Sequence, residues 1–228
     1  MSETTTAYQD WDARWQSDEG RAAWLTPDPN VDVWARRIRA RGGTTALDLG
    51  CGVGRHTVLL AQLEYRTAGL DASETGLDHT RRALAGLGLG ADLRRGHMTA
   101  LPFADGVFDY VLAQNVIYHG DGLAVRSVLA EIRRVLHPHG IFQGTMLSKR
   151  NARYGKGDEI APDTFVDRDA GGDKAHPHFY CSALELVTLF DGFEVLALED
   201  REQKGPGTWH WHVVAELGAN AEVMRRHP

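Results

Sequence analysis

From residue 45 onward, short apolar runs alternate with longer segments whose apolar residues recur every three to four positions. The runs at 45–49, 67–70, 108–113 and 141–146 predict strands, and a further strand is expected near Asp92–Arg95. The segments at 55–63, 74–85 and 124–136 predict helices between them. The run Phe108–Ala113 is nearly continuous apolar, the pattern of a strand buried on both faces. In 124–136, Val125, Val128, Leu129, Ile132, Val135 and Leu136 form one helical stripe. Pro138-His139-Gly140 predicts a turn into the next strand. Residues 148–177 are polar and glycine-rich, without periodicity. After them Ser182-x-x-Glu185 predicts a capping box opening a helix to Phe190. Runs at 193–198 and 209–215, joined by Lys204-Gly205-Pro206-Gly207, predict an antiparallel hairpin.

The start of the chain differs. Residues 1–30 carry Tyr8, Trp11, Trp15 and Trp24, and Leu25-Thr26-Pro27-Asp28-Pro29 predicts a turn. A helix is predicted over 31–41, with Val31, Trp34, Ala35 and Ile38 on one face and Gly42-Gly43 ending it. Strands alternating with helices predict an α/β fold with a doubly wound, mostly parallel sheet. The expected division is an aromatic arm or lid at 1–43, a main domain at 44–218 with an insertion at 148–180, and a tail at 219–228.

Residues 46–54 read Ala-Leu-Asp-Leu-Gly-Cys-Gly-Val-Gly, a strand running into glycines at alternate positions. Such a turn lets a ligand lie against bare backbone. Asp48 would repel a pyrophosphate and suits a positively charged ligand. Position 55 is arginine, so the pattern is not the dinucleotide fingerprint. Asp71, at the end of the second strand, suits a ribose diol, while Ser73 serves as the helix cap. The pattern Asp-x-Gly-x-Gly-x-Gly resembles motif I of the class I S-adenosylmethionine (SAM)-dependent methyltransferases, and Gly69-Leu-Asp-Ala-Ser73 resembles their second motif. The aromatic arm resembles the lid of small methyltransferases of the tellurite-resistance and thiol-methylating type.

The resemblance implies a Rossmann-like sheet of seven strands in the order 3-2-1-4-5-7-6. It also implies a SAM site formed by Trp15, Trp24, Asp48, Gly50, Cys51, Gly52, Arg55, Asp71 and Ala72. His97 stands where the family carries an acid toward the adenine amino group, and a neutral imidazole can also accept there. Met98 is placed to cover the adenine. Gln114, Asn115 and His119 follow the fourth strand, where ligands of such sheets lie. Tyr118 is a further candidate beside them, and tryptophan faces in the arm suit a sulfonium. Asp109 is expected to be structural.

The net charge of −6 gives no basic footprint for nucleic acid. No sequence resembling the Asn-Pro-Pro-Tyr of nucleic-acid amino methylation follows the fourth strand. Cys51 and Cys181 make no disulfide framework, the N-terminus has no signal-like core, and no apolar run reaches membrane-spanning length. The expectation is a cytoplasmic monomer or homodimer with a small-molecule substrate and neither nucleic-acid nor membrane partner.

Two histidine motifs stand apart: His176-Pro-His178-Phe-Tyr180 and His210-Trp-His212. In extended chain each pair points to one side. Three roles are open. The histidines are hydrogen-bonded structural groups. Alternatively His119, His178, Tyr180, His210 and His212 line a catalytic pocket, one taking the acceptor's proton. Or His176, His178, His210 and His212, with Asp173, hold a metal. The expected reaction is methyl transfer from SAM, leaving S-adenosylhomocysteine, to a thiol, hydroxyl, amine or metalloid. The alternatives are a SAM enzyme using its histidines for non-methylating chemistry, and a non-catalytic SAM-binding subunit.

Overall fold

The computed structural model describes residues 5–219. The apolar runs become parallel strands β1 (Thr45–Leu49), β2 (Arg66–Asp71), β3 (Asp92–Arg95), β4 (Phe108–Ala113) and β5 (Leu136–Ser148). β1 pairs with β2 and β4, β2 with β3, and β4 with β5, all parallel. The final strands β9 (Phe193–Glu202) and β10 (Trp209–Leu217) form the expected hairpin. β10 lies antiparallel along β5, so the order from one edge is 3-2-1-4-5-10-9. Counted without the insertion, this is the expected 3-2-1-4-5-7-6.

The sheet has ten strands rather than seven because the insertion contributes three. β6 (Asp158–Ala161), β7 (Thr164–Val166) and β8 (His178–Cys181) form an antiparallel ribbon. β8 pairs with the last residues of β5, Leu147↔Tyr180 and Ser148↔Cys181. β10 already occupies the other edge of Leu147, through His210. β8 therefore continues the β4 edge, beyond the end of β4. That placement carries the insertion's histidine motif over the C-terminal ends of the parallel strands.

The turn at Pro138–Gly140 persists as a bulge inside β5. Residues 137–140 loop out between the pairs Phe108↔Leu136 and Tyr110↔Ile141. His139 takes a positive φ of 63° there. Asp109, opposite the bulge, accepts from the backbone and hydroxyls of Thr44 and Thr45, a structural role as expected.

Helix α6 (Gly122–Val135) buries its whole stripe against one face of the sheet, together with α7 (Ala183–Leu189). Asp121 caps α6, and Ser182 with Glu185 makes the capping box of α7. On the other face lie α3 (Pro29–Ala40) and α4 (Arg55–Gln62), with Val31, Ala35, Ile38 and Leu60 packed on Tyr110 and Leu112. Burying such side chains stabilises by about 1.5–3 kcal/mol each. α3 therefore belongs to the packed layers, not to the lid. Covering falls to α1 (Tyr8–Arg14) and α2 (Asp18–Ala22), while α5 (Glu74–Gly86) follows β2. No helix among the described residues is long and apolar enough to cross a membrane. The expected tail lies, from residue 220, outside the described residues.

Candidate active site

β1 ends and the chain turns back at once, held by Gly50 N–H and Cys51 N–H donating to the Leu70 carbonyl of β2. Gly50 has φ +69°, and a Cβ there would stand 2.4 Å from Val116 Cγ2. Gly52 has φ +52° and lies under Trp15, whose ring a Cβ would meet at 3.4 Å. Both positions require bare backbone. Asp71 closes β2 beside this turn. Its carboxylate accepts from Gly52 N–H at 2.7 Å and Ser73 N–H at 2.8 Å. Burial pushes its pKa up against those hydrogen bonds.

A cavity opens above, enclosing about 910 Å³ of space partly continuous with solvent. That is ample for a small ligand or cofactor. Gly50, Cys51, Gly52, Arg55, Asp71 and Ala72 form its floor. His97 and Met98 line one side, and Gln114, Asn115 and His119 another. Asn115 has φ +61° and receives the Thr145 hydroxyl, which leaves its buried Nδ2 without a partner.

The arm is the roof. Tyr8, Trp11 and Trp15 fall at i, i+3 and i+7, one face of α1 and the residue after it. Trp11 stacks on Trp15 at 5.1 Å, Trp24 meets Trp11 edge-on at 4.9 Å, and Tyr8 meets His97 edge-on at 5.2 Å. Asp12 latches α1 to the N-terminus of α5, accepting from Ser73 Oγ at 2.7 Å and Thr75 N–H at 3.1 Å. His176 latches it to the insertion through Thr6 and Asp10. Trp24 does not offer a vacant face to a sulfonium. Lys204 Nζ sits 3.0 Å from its ring centroid and Arg55 lies 5.2 Å away. Burial lowers the Lys204 pKa to about 8.

Asp48 is not on the cavity wall. It is 2% exposed and accepts from Thr57 Oγ at 2.7 Å beneath the turn. Burial lifts its pKa to about 6, with Thr57 and Arg55 opposing the rise. A folded-state value above the unfolded one means ionisation works against the fold. The contribution is present below about pH 4 and lost as pH rises through about 6. Asp48→Asn, which keeps an acceptor for Thr57, should be more stable than wild type at pH 8 by roughly 3 kcal/mol. The gain should vanish near pH 4; urea denaturation at both pH values measures it.

The expected histidine set divides. His176 turns to the arm, and His212 Nδ1 lies 3.2 Å from the Arg201 guanidinium. His210 Nδ1 donates to the Thr208 carbonyl at 2.7 Å and stays buried beside Tyr118. The four-histidine metal set is thus not assembled, because each of these side chains already has a different neighbour. Tyr180 packs against Tyr154 and Phe165, away from the cavity wall. His119 and His178 do meet, with ring centroids 4.6 Å apart, and Asp173 lies 3.6 Å from His178 Nε2. His119 is 7% exposed, and among the described residues neither ring nitrogen has a hydrogen-bond partner. Burial holds both imidazoles below the ordinary histidine range, so they are neutral at pH 7. Burial pushes the Asp173 carboxyl up, but His178, Lys174 and His119 outweigh it and hold it below the usual carboxylate range.

Residues 47–143, which contain the glycine turn, Asp71 and the end of β4, match the sequence profile of the family described as Methyltransferase domain. Residues 47–143 thus carry a class I methyltransferase domain. A probable S-adenosylmethionine-dependent methyltransferase of Mycolicibacterium smegmatis is 30% identical over 189 residues, 82% of this chain and 63% of that protein. The chain spans about half the length of the curated relatives it matches. The methyltransferase domain shares its fold with PH0226 of Pyrococcus horikoshii, at TM-score 0.67 and 23% identity over 89% of this chain and 93% of that one. It shares it equally with Burkholderia thailandensis 1,6-didemethyltoxoflavin-N1-methyltransferase, solved with 1,6-didemethyltoxoflavin and S-adenosylhomocysteine. That superposition has TM-score 0.67 and 19% identity over 93% and 88% of the chains.

The cofactor of this class is SAM, and the methyltransferase domain fits it on its own chemistry. The floor is bare backbone, Asp71 is an anionic acceptor beside it, and Asn115 Nδ2 is a buried donor awaiting a partner. The sequence puts Tyr8 and Trp11 in the lid but not among the cofactor-binding residues, and gives no place at the wall to His56. The periodicity of Tyr8 and Trp11 with Trp15 was an available signal. His56 had none, because its Nε2 accepts from the distant Asp28 N–H.

Proposed function

We propose that the chain binds SAM under the aromatic arm and methylates a small-molecule acceptor held beside His119. The observation that carries this is the roofed cavity at the ends of β1, β2 and β4, with Asn115 Nδ2 and both nitrogens of His119 unpartnered on or at its wall. Asp71 would hold the ribose diol by charge-assisted hydrogen bonds. His97 and Met98 would flank the adenine, with Tyr8 backing His97. Gln114, Asn115 and Arg55 would take the amino and carboxylate groups of the methionine part. Bound SAM supplies an electrophilic methyl, which passes to the acceptor's lone pair as the carbon–sulfur electron pair returns to sulfur. The chain's work is then chiefly to align acceptor and methyl and to exclude water, which α1 and α2 would do.

A depression beside the main cavity shares Trp11 and Trp24 with it and reaches Asp10, Arg14 and Asp173. It lies between arm and insertion and holds about 950 Å³ of space partly continuous with solvent, room for a small acceptor beside the cofactor. Calorimetric titration with SAM, followed by labelled-methyl transfer to a panel of thiols, hydroxyls, amines and metalloids, tests the proposal. Micromolar SAM binding with transfer to at least one acceptor class is expected. Binding without transfer to any would favour a non-catalytic subunit.

A further inference from the structure

We propose that His119, His178 and Asp173 form a site for a divalent zinc-like ion whose open positions face the acceptor; it rests on the methyl-transfer reading. Ligand atoms of these three side chains all lie within 4.8 Å of one another. Two imidazoles and one carboxylate are a donor set that leaves coordination positions free for substrate.

The hydrogen bonds around the cluster fit this use. His178 Nδ1–H donates to the His176 carbonyl at 2.8 Å, which fixes the tautomer and leaves the Nε2 lone pair pointing at Asp173. A backbone carbonyl on the far nitrogen is how metal-binding histidines are oriented. Among the described residues, the two buried nitrogens of His119 have no hydrogen-bond partner, a costly arrangement unless a ligand completes it. Lys174 Nζ, one-third exposed, occupies the cation's place: it donates to Asp173 Oδ2 at 3.2 Å and to His178 Nε2 at 3.3 Å. An ion would displace it. Ligand atoms around a tetrahedral zinc stand about 3.3 Å apart, given bonds of about 2.0 Å. The cluster therefore closes by an ångström or so when Lys174 swings into solvent.

The site joins the two cavities. His119 lines the main one and Asp173 the neighbouring depression. An acceptor entering from the depression would meet the ion before the methyl. That selects acceptors that ligate as anions, a thiol or a hydroxyl, over neutral amines. The ion would lower the acceptor's pKa, its proton would leave to water, and the resulting anion would present its lone pair to the methyl carbon. No oxidant or reductant is needed.

Chelator-treated protein titrated with Co²⁺ provides the test, since tetrahedral cobalt reports itself by visible absorption. One Co²⁺ per chain, displaced by Zn²⁺, is expected. His178→Ala, His119→Ala and Asp173→Asn should each weaken binding at least about 100-fold. Lys174→Ala should tighten it about tenfold by removing a competing charge. Three outcomes overturn the site: no cobalt bands at millimolar Co²⁺, bands unaltered by all three ligand variants, or weaker binding in Lys174→Ala. A SAM titration on every preparation shows that the variants are folded and separates the two proposals. SAM binding without cobalt binding removes only the metal site, whereas cobalt binding without SAM binding removes the methyl-transfer reading, and with it the ion's role toward an acceptor, but not the ion site itself.

Discussion

Asp71→Ala should weaken SAM binding about 100-fold or more. Two hydroxyl hydrogen bonds to a carboxylate contribute about 1.5–3 kcal/mol each, and every 1.4 kcal/mol is roughly tenfold in Kd. The same carboxylate also receives Gly52 N–H and Ser73 N–H, so the glycine turn and the start of α5 lose an anchor with it. Asp71→Asn separates the two effects. It keeps one acceptor for the turn but cannot offer a charged pair of oxygens to a diol. We expect it to melt between Asp71→Ala and wild type, since one of the two N–H groups then faces the amide NH2, while still losing most of the affinity. Calorimetric Kd values beside thermal melts decide the matter. A wild-type Kd in Asp71→Ala would mean that the ribose is held elsewhere.

His119→Ala should divide the kinetic constants in the opposite way. Turnover should fall by at least about 100-fold, the lower end of what a positioned group at the reacting atoms contributes. The SAM Kd should change by less than about threefold, since Asp71, the glycine turn and the arm would still hold the cofactor. His212→Ala is the matching control. His212 lies against Arg201, off the cavity wall, and its removal should leave kcat nearly unchanged. Single-turnover methyl transfer beside SAM titration measures both variants. Equal losses in the two would show that the histidines act through general stability rather than at the acceptor.

Most of the fold was legible along the chain. β4 begins and ends where the apolar pattern places it, β3 covers the expected residues 92–95, and α7 opens on its capping box. β5 was read short by several residues at its start. Its first residue pairs with Phe108 before a four-residue bulge, which breaks the alternation that marks a strand. The insertion at 148–177 showed no period because its strands β6 and β7 are three or four residues long. β6 buries no residue and β7 only Thr164 and Val166, too few positions to show a period.

The residues that the sequence assigns to the cofactor line the cavity, except Asp48. The negative charge of Asp48 suits a positively charged ligand. Its side chain instead accepts from Thr57 in α4, beneath the turn. Alternation along a strand sends every second side chain to each face. Nothing in β1 alone says which face carries the cavity.

The sequence by itself determined the strand–helix alternation, the glycine turn, the acid ending β2 and the aromatic face of the arm. Each depends on residues a few positions apart, whose geometry follows from backbone periodicity and local sterics. Only the tertiary structure decided which histidines converge. β8 continues the β4 edge of β5 and brings His178 against His119, while the 3-10 turn at Gly172–Ala175 presents Asp173 to both. That meeting joins segments far apart in the chain. It is fixed by strand register and by what each side chain finds on arrival: Asp10 for His176, Arg201 for His212, and for His119 a buried place with no hydrogen-bond partner among the described residues.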